Sequence, residues 1–186
     1  METPSVPVNF VPATAGESFK LGTITIRILE DGSRTDNRIG SAEFIVPPHT
    51  AGPPPHWHEM HDETFLVLKG TLRFHALHGQ TIDAKVGDYV TVPTQSPHTF
   101  SNPYDEEAVF FNTYTPAFYI NYFKLLATLG EAGKPMDPEA NRKAMAYFAT
   151  IGVADDEMEV DKAQFYGEKK KEKKTEKGTE TKPAGK

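Results

Sequence analysis

His56, Trp57 and His58 are followed by Glu63 and, forty residues after His58, by His98. Neutral imidazole is the commonest protein ligand for first-row metals. Three imidazoles and one carboxylate suit one divalent transition metal with open coordination positions. Iron, manganese, nickel, copper, cobalt and zinc all tolerate such a set. In a strand, residues two apart share a face, so His56 and His58 can enter one cavity while Trp57 points away from it. Glu63 lies five residues beyond His58 and cannot share that face on one continuous strand. The chain must bend over Glu59–Asp62 and bring Glu63 back on the next strand, with His98 arriving from another wall. A lone buried histidine is more often a hydrogen-bonded core residue than a ligand, and spacing alone leaves both readings open. The run His58-Glu59-Met60-His61 is one residue short of the helical His-Glu-x-x-His motif.

Such ligands need walls to hold them, and the flanking sequence reads as short strands. The isoleucines of Thr23–Ile28 alternate, and Asp31-Gly32-Ser33 marks a turn. Further strands are expected at Ser41–Val46, His56–His58, Glu63–Leu68, Thr71–Leu77, Thr81–Lys85, Tyr89–Val92, His98–Ser101 and Ala108–Thr115. Gly70, His78-Gly79, Gly87-Asp88 and Asn102-Pro103 separate them. Many short strands with regular turn signals predict a sandwich or barrel. Phe65, Val67 and Phe100 have the parity of the ligands on their strands, so they are candidates for an apolar pocket wall. Each could equally be plain barrel packing. His61 reads as a solvated loop residue, with a substitute ligand or a hydrogen-bonding partner of a ligand as its alternatives. His75 and His78 read as ordinary strand and turn residues, and His49 has no special claim.

The pattern changes at Thr115-Pro116, which reads as a helix cap followed by Pro at the first helical position. Phe118, Tyr122, Leu125, Leu126 and Leu129 keep helical spacing, and Gly130 stands where a capping glycine belongs. Asp137-Pro138 repeats the start signal, and Gly152 ends a second apolar stripe. The chain thus divides into an irregular arm over 1–20, a β-barrel over 21–115, two helices over 116–153, and an acidic linker with a Lys-rich tail over 154–186. From Glu168 onward there are eight Lys, four Glu and no aromatic residue. Such a segment cannot offset its ordering entropy by burial, and disorder is expected.

The net charge is −6 although that tail is basic, so the body is strongly acidic. This argues against a nucleic-acid-binding core. No apolar run is long enough to span a membrane. The first ten residues lack a signal-peptide core, and a cytoplasmic location is expected. The absence of cysteine removes disulfides, thiolate ligands and a Cys nucleophile.

The sequence resembles the cupin superfamily, whose two motifs occur in order. His56-x-His58, four residues, Glu63, six residues and Gly70 fit the first motif, though the leading glycine, Gly52, stands only three residues ahead. Gly87, Pro93, His98 and Asn102 fit the second, with Gln95 in place of its glycine. The resemblance implies a mainly-β double-stranded β-helix, or jelly roll, with the metal inside it. It implies His56, His58, Glu63 and His98 as the ligands of one divalent transition metal. With the two C-terminal helices it is similar to single-domain, quercetin-dioxygenase-like members. Their likeness implies oxidation of a small aromatic or enolic metabolite, with dioxygen as a partner and Glu63 as ligand or general base. A non-oxidative isomerase, cyclase or decarboxylase would use the same residues, and a non-catalytic binding module is the third reading. A homodimer is also implied, since open jelly-roll edges tend to be covered.

Overall fold

The computed structural model describes residues 2–130 and 138–160. The expected disordered tail and the Asp137 start signal lie outside them. Strands β1 (Glu17–Leu21), β2 (Ile24–Glu30) and β3 (Gly40–Val46) lead into two short segments, β4 (Thr50–Ala51) and β5 (His56–His58). Six more follow: β6 (Asp62–Lys69), β7 (Thr71–His75), β8 (Thr81–Lys85), β9 (Tyr89–Val92), β10 (Thr99–Asn102) and β11 (Ala108–Thr115). A six-stranded sheet runs β1-β2-β3-β11-β6-β9, and a four-stranded sheet runs β4-β10-β7-β8. Every named pairing is antiparallel.

The period-two alternation of the sequence explains which face each strand buries. On β11, Ala108, Phe110, Asn112 and Tyr114 are buried while the residues between them are half-buried. On β6, Glu63, Phe65 and Val67 are the buried set. Phe65, Phe74, Phe100 and Phe110 form an aromatic core between the two sheets, with ring centroids 4.9–6.4 Å apart. Phe44 stacks on Phe110 at 4.8 Å and takes the edge of Phe123 at 5.4 Å, which ties the barrel to the helical segment.

The structure moves several expected boundaries. The irregular arm gives way to β1 at Glu17, where Phe19 and Leu21 pack against the core. Thr115 is not a helix cap. It continues β11, paired with Asp62, and Pro116 is extended. A single 3-10 turn, Ala117–Tyr119, then leads into α1 (Ile120–Leu129). Gly130 does end α1, its N–H donating to the Leu126 carbonyl at 2.8 Å, but in an extended conformation. The second helix, α2 (Pro138–Tyr147), stops well before Gly152. That glycine belongs to a strand, β12 (Thr150–Gly152), which pairs with β5. The segment read as an acidic linker contains a short helix, α3 (Asp155–Met158), and Met158 is fully buried. Among the described residues, no helix is long and apolar enough to cross a membrane.

Candidate metal centre

β5 is only three residues long, and its alternation buries His56 and His58 while Trp57 faces away, half-buried. A bridge between His56 and His98 holds the third imidazole beside them. His56 N–H donates to the His98 carbonyl at 3.1 Å, and His98 N–H to the His56 carbonyl at 2.8 Å. The chain bends after His58, and Glu63 returns on β6 between Tyr114 of β11 and Val92 of β9. Gln95 makes the turn before His98 although it is not glycine. It adopts φ 63°, donates its N–H to the His58 carbonyl at 2.8 Å, and donates from its side chain to Glu59 at 3.0 Å.

These elements bring one nitrogen from each of His56, His58 and His98 and one oxygen of Glu63 within 4.8 Å of one another. All four residues are buried. Glu63 Oε2 lies 3.2 Å from His58 Nε2 and 3.1 Å from His98 Nε2. The Nδ1 atoms face outward to acceptors: His56 to the Pro54 carbonyl at 2.7 Å, His98 to the Ser96 carbonyl at 2.9 Å, and His58 to the Thr150 hydroxyl at 3.1 Å. A carbonyl can only accept, so in His56 and His98 the proton sits on Nδ1 and the Nε2 lone pair turns inward.

Electrostatics agree with this arrangement. Burial would push the Glu63 carboxyl up, but its contacts with His58 and His98 outweigh that and hold it well below the usual carboxylate range. Burial, then the neighbouring His98 and His58, keeps His56 well below the usual imidazole range. An ionised carboxylate therefore converges with three inward-facing imidazoles. The donor set fits a divalent transition metal, whose bonds to such atoms are about 2.0–2.2 Å.

The centre opens onto a cavity of about 690 Å³. His56, Glu63 and His98 line it, with Phe65, Phe100, Phe110, Tyr119, Tyr122 and Phe123 among its walls. Of the three expected pocket residues, Phe65 and Phe100 line the cavity. Val67 is buried in the core and does not. Two polar residues of the wall were not expected. Asn112 and Tyr114 share the buried face of β11, directly across from Phe65 and Glu63, and each carries a buried atom without a hydrogen-bond partner. The alternation of β11 was the available signal for both. Burial, then the Glu63 charge, pushes the Tyr114 hydroxyl well above its usual range, so it stays protonated beside the carboxylate.

His61 is not a solvated loop residue. It is 1% exposed, and its ring lies 3.9 Å from that of His58 and 4.1 Å from that of Tyr119. Neither ring nitrogen has a partner, and the residue stands outside the four-residue cluster. Polar neighbours in sequence suggested exposure, but the 3-10 turn carrying Phe118 and Tyr119 folds over it. His75 behaves as a buried strand residue, bonded to Ser101 at 2.8 Å, and His49 pairs with Asp105 at the surface.

Residues 42–114 match the family model described as the cupin domain. The double-stranded β-helix is a cupin fold. Solved cupin-fold structures agree over more of the chain. A predicted oxalate decarboxylase from Thermotoga maritima superposes with a TM-score of 0.53 at 18% identity, over 58% of this chain and 99% of that one. KdgF from Halomonas sp. gives 0.51 at 17% identity, over 58% and 94%. The polyketide cyclase RemF from Streptomyces resistomycificus gives 0.51 at 22% identity, over 63% and 94%. At these identities the likeness is one of fold. No curated protein matches the sequence. The cupin match ends at Tyr114, so the 3-10 turn, α1, α2 and β12 lie beyond it.

Proposed function

We propose that this cupin is a metal-dependent enzyme that oxidises a small aromatic or enolic metabolite with dioxygen, in the manner of quercetin-dioxygenase-like proteins. One observation carries the reading: inward-facing imidazoles and a carboxylate converge on the wall of a large aromatic cavity. His56, His58, Glu63 and His98 would hold one divalent metal. When bound, it supplies Lewis acidity that lowers the pKa of a substrate oxygen and an open position for a second ligand.

The rest follows from the chain itself. The cavity falls within the roughly 300–1,000 Å³ usual for small-molecule sites, and its walls present ring faces to a flat substrate. No Lys or Arg is among the described lining residues, so a small dianion would find no side-chain cation there. A neutral, ring-bearing substrate with an ionisable hydroxyl suits these walls better. Glu63 faces the histidines and lines the cavity, and it would either remain a ligand or swing off to take the hydroxyl proton as general base. The aromatic walls exclude water from that transfer.

The second reading is non-oxidative chemistry on the same kind of substrate. The likeness to a polyketide cyclase and a predicted decarboxylase keeps it open. Metal content by mass spectrometry, on wild type and His58→Ala, tests the site. Oxygen uptake with flavonol- and polyphenol-like substrates tests the reaction. About one equivalent of metal, lost in His58→Ala, together with oxygen consumption, is the expected result. Turnover without oxygen uptake would replace oxidation by the Lewis-acid reading. No metal in the wild type, even after reconstitution, would overturn both.

A further inference from the structure

The three histidines of the centre are not secured in the same way. His56 and His98 each lean on a backbone carbonyl two residues earlier in their own segments, Pro54 and Ser96. His58 has no such local support. Its Nδ1 meets the hydroxyl of Thr150, a residue 92 positions away and outside the matched cupin domain.

The pairing of β12 with β5 puts Thr150 there. Thr150 stands opposite His58, Ile151 opposite Trp57 and Gly152 opposite His56. Two further bonds extend the pairing at its ends, from Glu59 N–H to the Ala149 carbonyl and from Val153 N–H to the Pro55 carbonyl, both 2.9 Å. The edge of the three-residue ligand strand is therefore covered by a strand from the C-terminal segment. Thr150 is 2% exposed, so water does not compete for its hydroxyl.

The Thr150 hydroxyl has a second partner that favours one direction for this bond. The Thr150 hydroxyl donates its only proton to the Phe148 carbonyl at 3.3 Å. Its oxygen can then only accept from His58 Nδ1–H. The chain of bonds runs from His58 Nδ1–H to Thr150 Oγ1, and from Thr150 O–H to the Phe148 carbonyl. In that arrangement a proton sits on His58 Nδ1 and Nε2 faces Glu63 and the other residues of the cluster.

We propose that Thr150 is a positioning residue of the metal centre, through which the α2–β12 segment fixes the tautomer and ring orientation of His58. The proposal rests on the reading of the four-residue cluster as a metal site. The same segment reaches the cavity from its other end, where α2 contributes Asn141, bonded to the Tyr122 hydroxyl at 2.7 Å. Metal affinity and cavity shape thus depend on one segment C-terminal to the matched domain.

The test uses the full chain, cobalt(II) as the probe, and the variants Thr150→Val, Thr150→Ser and His58→Ala. Val keeps the β-branched shape that a strand accommodates and removes only the hydroxyl. Affinity is read by visible absorption against a competing chelator. Loss of such an outer partner typically costs 10–100-fold, so Thr150→Val is expected to weaken cobalt by about that factor, while Thr150→Ser stays within about threefold of wild type. In the metal-free proteins, proton–nitrogen NMR of the His58 ring, assigned by its loss in His58→Ala, should show the Nδ1–H form in wild type and Thr150→Ser. In Thr150→Val it should show a rise of the Nε2–H form. If Thr150→Val does not fold, Thr150→Ala takes its place. Wild-type affinity and an unchanged tautomer in the hydroxyl-free variant would refute the proposal. So would equal weakening in Thr150→Ser, which would trace the effect to the methyl group. Failure of the wild type to bind cobalt would instead refute the metal site itself.

Discussion

Gly52 lies against the back of the cavity wall, and replacing it by Ala has a consequence that can be worked out from distances. Its N–H donates to the Phe100 carbonyl at 3.0 Å. A Cβ added there would stand 2.3 Å from that same oxygen and 2.9 Å from Cδ2 of the Phe100 ring. The first contact is with backbone, so no side-chain rotation relieves it, and separation is roughly 1 Å short of ordinary contact. The carbonyl cannot retreat without lengthening the bond it accepts. Overpacking costs about 1–3 kcal/mol, and the weakened hydrogen bond adds about 0.5–1.5 kcal/mol. A total of about 2–4 kcal/mol in a chain of this size lowers the melting temperature by about 5–15 °C. Gly152 is the control. It lies in a strand, and a Cβ there meets nothing within 4 Å. Gly152→Ala should be neutral or stabilise by up to about 1 kcal/mol through the unfolded chain. Thermal and urea unfolding of the two variants decide the matter. A Gly52→Ala midpoint within about 1 °C of wild type, or an equal fall in Gly152→Ala, would refute the close-approach argument.

Two further outcomes are expected. His61→Phe keeps the ring faces against His58 and Tyr119 while removing two buried nitrogens that have no partners, so it should stabilise by about 1–2 kcal/mol and leave metal per chain unchanged; loss of metal would make His61 a ligand. Burial, then His58, holds the His61 pKa down to about 3 against 6.5 in the unfolded chain. The unfolded state therefore binds the extra proton as pH falls from 6.5 toward 3, so the advantage of His61→Phe should widen over that window; a constant difference would contradict it. Asp83 is bound at two points by Arg73, at 2.6 and 2.8 Å, and its carboxyl is held down to about 2, chiefly by those bonds. Asp83→Asn should cost less than about 1 kcal/mol at neutral pH because the pair is partly exposed, and urea midpoints of the two proteins should converge as pH falls from about 4 toward 2.

Much of the barrel was legible because strand periodicity is local. The alternation of β2, β6 and β11 assigns buried faces without knowledge of their partners, and Gly70 and Gly87 mark the turns between strands at positive φ. The parts that misled depend on contacts the sequence does not display. Thr115-Pro116 has the residue types of a helix start, but Thr115 is held in β11 by pairing with Asp62. Phe148 and Ile151 continue an apolar helical stripe, yet backbone bonds to β5 stop the helix at Tyr147 and turn Thr150–Gly152 into a strand. A three-residue strand has too little periodicity to announce itself when its partner lies some ninety residues away.

The site divides along the same line. The four clustered residues were legible because His-x-His on a short strand is a period-two statement, and because Glu63 and His98 head the strands that follow. What fixes those residues was not. The protons on Nδ1 of His56 and His98 are set by carbonyls two residues away, which any sequence would supply once the bends at Pro54 and Ser96 exist. Gln95 shows the tolerance of such local geometry: it occupies a left-handed position that glycine would take more easily, and its two hydrogen bonds, to the His58 carbonyl and to Glu59, offset the strain. His58 is different, because its acceptor is a side chain that only tertiary folding delivers. The cluster is thus encoded locally within residues 42–114, while the orientation of its central imidazole depends on the C-terminal segment. A barrel cut at the end of β11 would keep all four ligand types and lose the group that aims one of them.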